Sequence, residues 1–116
     1  MIIIFEQINP KDTFGKKMIE NLKNRKCPLL SIQDYPTLKS QIKRFLNLGY
    51  DESYFYKMLE VYHKFIENEE LERIEKIEML DEIEEWDLML SHYCFGISMK
   101  NLKEEKEKSE WLKKWE

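Results

Sequence analysis

The sequence predicts a mixed α/β domain, mainly helical with a few strands. Its 116 residues open on an apolar, β-branched run, Met1 to Phe5, of strand length. Near the other end Tyr93, Phe95, Ile97 and Met99 alternate with Cys94, Gly96 and Ser98, a period of two that marks a second strand. Between these runs the apolar residues keep helical spacing, and the coarse order is strand, two helices, possible strand, two helices, strand, tail. That is the order of a split α/β domain and not of a helical bundle.

Each element has a local reason. The opening run has no polar alternation, as in strands of parallel sheets covered on both faces, and Asn9-Pro10 closes it. Such a strand wants neighbours on both edges, so further chain is expected upstream of Met1. Asp12 or Thr13 can cap a helix reaching about Lys26, with Phe14, Met18, Ile19 and Leu22 on one stripe. Cys27-Pro28 stops it, because the residue before a proline disfavours the helical region. Tyr35-Pro36-Thr37 starts the next helix, whose expected buried face is Leu38, Ile42, Phe45 and Leu46, with Gly49 as its left-handed cap.

Residues 51–68 read two ways. Phe55, Leu59, Tyr62 and Ile66 have helical spacing, whereas Tyr54-Phe55-Tyr56 after a glycine suits a short strand. From Glu69 to about Leu90 one long helix is expected, with Leu71, Ile74, Ile77, Leu80, Ile83 and Trp86 three apart. Steps of three lag the helical turn by about 60° each, so this stripe winds round the helix and asks for partners on several sides. Residues 101–116 read as a charged, helical tail with Trp111 and Trp115 four apart.

Composition narrows the function classes. Three Gly and three Pro exclude collagenous and low-complexity chains, and 13% aromatics exclude simple disorder. A net charge of -4 does not suit a general nucleic-acid binder. Residues 11–50 carry nine Lys/Arg against three Asp/Glu, and residues 51–90 carry four against fourteen, read as solvated helix faces of opposite sign. Two cysteines make no disulfide framework, and no apolar run has the length of a membrane span, so a cytoplasmic setting is expected.

Few residues advertise chemistry. His63 and His92 have no ligand-spaced partner and read as packing or hydrogen-bonding histidines. Cys94 reads as a small buried hydrophobe, and Cys27 as a helix-end residue. Asp81, Glu82, Glu84 and Glu85 read as a solvated face rather than paired acids. No phosphate-binding glycine loop or nucleophile elbow is present, and no metal site is expected. Glu6 and Gln7 stand apart: they follow a buried strand at its carboxyl end, where open α/β sheets bind ligands. The alternative, that they only cap the strand or bond to the next loop, stays open.

The order of short motifs resembles the leucine carboxyl methyltransferase family. The residues are Ile4-Phe5-Glu6-Gln7-Ile8-Asn9, then Asp12-Thr13-Phe14-Gly15, then Met18-Ile19-Glu20-Asn21-Leu22 with Arg25 and Cys27. Gln41, Arg44-Phe45 and Gly49-Tyr50 follow, then Ile77 to Glu82, Glu84-Glu85-Trp86, and His92-Tyr93-Cys94. Order and spacing agree from about residue 2 to about residue 100.

The resemblance implies the C-terminal part of a Rossmann-like methyltransferase fold that uses S-adenosylmethionine. Residues 1–100 would be that portion and the cofactor-binding half would be absent, so the chain alone would be inactive. The implied reaction esterifies the C-terminal leucine carboxylate of the protein phosphatase 2A catalytic subunit. The partners are that subunit's tail and the missing N-terminal half, supplied in cis or in trans, with no membrane or DNA. Glu84-Glu85-Trp86 looks more like a sister branch that acts on a modified guanosine of transfer RNA in wybutosine synthesis. A non-catalytic helical module binding a partner helix is a third reading. No direct catalytic contact carries over, no cofactor ligand is expected in this chain, and Glu6 and Gln7 would border the site. The resemblance also makes residues 53–57 a strand and places Tyr93 to Met99 beside it at the sheet edge.

Overall fold

The computed structural model describes residues 1–100. The tail expected over 101–116 lies outside them. Strand β1 (Ile2–Gln7) leads to α1 (Thr13–Asn24) and α2 (Leu38–Asn47), then β2 (Glu52–Lys57). A short α3 (Met58–Glu60) runs on as a π-helical turn, Val61–Phe65. Helices α4 (Asn68–Ile77) and α5 (Ile83–Leu90) precede β3 (Tyr93–Met99). The architecture is mixed α/β, as expected. No helix among the described residues is long and apolar enough to cross a membrane.

The three strands form one antiparallel sheet in the order β1-β3-β2. This corrects two expectations. The closing strand is not at the sheet edge but lies between the other two, with Phe5 opposite Phe95 on one side and Tyr56 opposite Phe95 on the other. Nor is β1 covered on both faces by the described residues: Ile3 and Phe5 are 54% and 60% exposed, while Ile2 and Ile4 pack inward. The apolar run itself matches, but its inward and outward sides follow the pleat and not its composition.

The larger core cluster lies between the sheet and α2, and a second, Ile97 and Met99 with Tyr54 and Phe95, sits on the sheet's other face. Ile8, Phe45, Phe55 and Cys94 are buried in the first, with Leu38 and Ile42 packed against them. Phe55 stacks on Phe45 at 5.6 Å and covers Gly96, where any Cβ would collide with its ring. On α2 the buried stripe is Leu38, Gln41, Ile42 and Phe45, so Leu46, expected inside, is 45% exposed. Spacing of three, four and seven selects position 41, a polar residue, ahead of position 46.

Caps set the helix starts. Asp12 accepts from the Gly15 amide at 2.6 Å, and Thr37 and Ser40 form a reciprocal capping box. Gly49 closes α2 with φ +95°, a conformation costly for residues with a Cβ. The ambiguous stretch resolves both ways: Glu52–Lys57 is β2, agreeing with the family resemblance, and residues 58–65 are helical, agreeing with the spacing. The single helix expected from Glu69 to Leu90 is instead α4 and α5, broken at residues 78–82. The winding stripe explains the break: interruption resets the phase, so that Leu90 is buried and Trp86 half-buried on a new face.

Candidate functional site

Glu6 is the last inward-facing residue of β1, and Gln7 follows it at the strand's carboxyl end. The pleat that sends Ile2 and Ile4 to the core sends Glu6 to the same side, toward α2. There Gln41 Nε2 donates to Glu6 Oε2 at 3.0 Å, and Arg44 donates to both carboxylate oxygens at 3.3 and 3.5 Å. Arg44 also donates to Gln41 Oε1 at 3.3 Å, and Gln41 Nε2 to the Tyr35 carbonyl at 3.3 Å. The guanidinium lies over the Tyr35 ring, 4.7 Å from its centroid.

Glu6, Gln7, Ser31, Ile32 and Gln41 line an open cleft of about 160 Å³ beside this cluster. The carboxylate, two amides and a hydroxyl on its wall suit a ligand bearing hydroxyl or ammonium donors. The two strand-end residues picked out in the sequence therefore share one cleft, but only Glu6 joins the hydrogen-bonded cluster. Gln41 and Arg44 stood in the sequence as a family motif without a role. Their spacing of three on a helix was the available signal, since it places both on one face.

The turn after β1 is fastened to the junction before β3. His92, 1% exposed, has Nε2 at 2.7 Å from both Asp12 carboxylate oxygens. Its Nδ1 donates to the Leu88 carbonyl at 2.8 Å. Asn9 donates to the Ser91 carbonyl at 2.9 Å, and the Ile8 amide to the His92 carbonyl at 2.8 Å. With both ring nitrogens engaged, His92 is a structural clasp that keeps the carboxyl end of β1 in place. Partial burial raises the Asp12 carboxyl, but the Gly15 amide and His92 outweigh it and leave it below its ordinary value. The partners are 80 positions apart, which no local pattern reveals.

The remaining candidates lie elsewhere. His63 meets Asp87 at 3.2 Å on the exposed side of α5. Cys94 is fully buried, and desolvation pushes its thiol up to about 11, so it is no nucleophile at neutral pH. Cys27 is exposed. Among the described residues no group of three or more His, Cys, Asp or Glu could hold a metal ion.

Comparison with known proteins gives these residues a context. The chain is 45% identical over 94 residues to an Arabidopsis thaliana protein named leucine carboxyl methyltransferase 1 homolog, covering 81% of this chain and 28% of that one. It is 42% identical over 97 residues to leucine carboxyl methyltransferase 1 of Schizosaccharomyces pombe, covering 84% and 31%. It is also 37% identical over 93 residues to human tRNA wybutosine-synthesizing protein 4, covering 80% of this chain and 14% of that protein. The chain thus spans less than a third of the length of these curated relatives. No family model matches it.

Proposed function

On the premise that this chain is a relative of the leucine carboxyl methyltransferases over most of its own length, we propose that it is the C-terminal portion of a protein carboxyl O-methyltransferase. It works with an N-terminal half, in cis or as another chain, in a Rossmann-like fold in the cytoplasm. The substrate is the C-terminal leucine carboxylate of the protein phosphatase 2A catalytic subunit. The observation that carries this reading is the Glu6 cluster at the carboxyl end of β1, in a chain with these relatives.

The chemistry makes modest demands. A C-terminal carboxyl group has a pKa of about 3.3–3.7, so at neutral pH it is already an ionised nucleophile and needs no general base. S-adenosylmethionine, when bound, supplies an activated methyl group on sulfur. Catalysis is then mainly alignment of the carboxylate oxygen with that methyl in a site cleared of water. The residues of this chain border the site: Glu6 and Gln7 offer hydrogen-bond acceptors to a ligand's donors, and the His92 clasp keeps their strand end fixed. The main cofactor site lies in the N-terminal half. The outward face of β1, with Ile3 and Phe5, is where that half packs.

A transfer-RNA methyltransferase of wybutosine synthesis is the second reading, favoured by the 37% identity to the human protein of that name. Methyl transfer by the complete enzyme to a peptide ending in Leu, against transfer RNA, separates the two. Isothermal titration of the isolated 116-residue chain with S-adenosylmethionine tests the missing half: the reading expects no binding, and binding would overturn it.

A further inference from the structure

We propose that Gln41 and Arg44 are positioning residues that hold the Glu6 carboxylate in one orientation, aimed into the cleft at the carboxyl end of β1. The inference rests on the methyltransferase reading and adds residues and a division of labour to it. Gln41 occupies a core position of α2, 1% exposed, between Leu38 and Phe45 on the buried stripe. An apolar side chain there would continue the stripe, whereas a buried amide is tolerated only when its hydrogen bonds are made. Two of the three tie it to Glu6, directly or through Arg44. Nε2 reaches Glu6 and the Tyr35 carbonyl, and Oε1 accepts from Arg44, which also reaches both Glu6 oxygens.

Stability does not explain the arrangement. The Arg44–Glu6 pair is partly solvated, with side chains 26% and 35% exposed, and pairs of that kind contribute little to folding. Its consequence is geometric. Gln41 fixes one carboxylate oxygen from the core side while Arg44, steadied on the Tyr35 ring, spans both from the solvent side. Glu6 is left with free acceptor capacity toward the cleft it shares with Gln7, Ser31 and Ile32. The group it meets is a hydrogen-bond donor on the bound ligand, a hydroxyl or an ammonium.

The test uses the complete enzyme, with S-adenosylmethionine affinity by isothermal titration and methyl transfer for Glu6→Gln, Gln41→Leu, Arg44→Met and Arg44→Lys. We expect Gln41→Leu and Arg44→Met each to weaken binding about tenfold, and Arg44→Lys to recover most of that loss. The decisive arm is non-additivity: Gln41→Leu or Arg44→Met added to Glu6→Gln should cost no further affinity, because both act through Glu6. Losses that multiply in the double variants, or single variants within twofold of wild type, would overturn the inference. Should Gln41→Leu not fold, the two Arg44 variants decide alone. A wild-type enzyme that neither binds S-adenosylmethionine nor transfers methyl would instead remove the methyltransferase reading, and this inference with it.

Discussion

The β1–α1–α2 region and the stretch from α3 to α5 are built differently. In the first, polar side chains make specific pairs at every junction: Asp12 and Thr37 cap helices, Gln41 and Arg44 hold Glu6, and His92 clasps Asp12. In the second, no side chain caps the start of α3, α4 or α5. There Ile74, Ile77, Met79 and Ile83 are 44% to 73% exposed amid a dense acidic run. Trp86 Nε1 is buried there with no hydrogen-bond partner. A residue held by several partners has one position, which a site needs. Apolar side chains left at a surface mark a face for contact.

The contrast predicts unequal responses to mutation. Phe45→Ala, in the first region, should cost about 3–5 kcal/mol by urea unfolding, since it removes the ring shared by Phe55 and Tyr50. The matching Ile77→Ser in the second should stay within about 0.5 kcal/mol. Equal losses would erase the distinction. The Cys94 thiol gives the next largest effect. Because its folded pKa is raised from 9.0 to about 11, its contribution is complete below pH 9 and lost as pH rises toward 11. That loss is roughly 2–3 kcal/mol. Over the same range exposed Cys27 should react with a thiol reagent while Cys94 in folded protein does not.

A smaller effect sharpens the clasp. Asp12→Ala removes a helix cap and the His92 acceptor together and should cost about 1–2 kcal/mol, with Asp12→Asn nearer wild type because it keeps a cap acceptor. The Asp12 pKa is depressed, so its ionised contribution is present above the ordinary value of 3.8 and fades as pH falls through the lower folded value. Wild type should therefore lose stability in acid more steeply than Asp12→Asn. Parallel acid unfolding curves would remove Asp12 from the clasp.

Local periodicity made much of this fold legible and left its polar contacts dark. Strand β3 is where its period of two put it, and α1 and α2 begin at the caps their residues announce. Residues 52–57 show why spacing alone fails: Phe55 keeps helical spacing to Leu59 in α3 and yet lies in a strand, because pairing with β3, much later in the chain, decides. The α4–α5 break was hidden for the same reason, since composition favours helix throughout. Glu6 was visible as a polar residue after an apolar run. Its partners were not, because Gln41 and Arg44 lie 35 and 38 positions away and only the packing of α2 on the sheet joins them.

Methyl transfer to a leucine carboxylate tests the account most directly. The complete enzyme, given S-adenosylmethionine labelled in its methyl group and a peptide with the C-terminal sequence of the phosphatase catalytic subunit, should yield an alkali-labile methyl ester. The same peptide amidated at its C-terminus should yield none, and Glu6→Gln should lower the rate about tenfold or more. Label that resists alkali, appears on the amidated peptide, or goes to transfer RNA instead would contradict it.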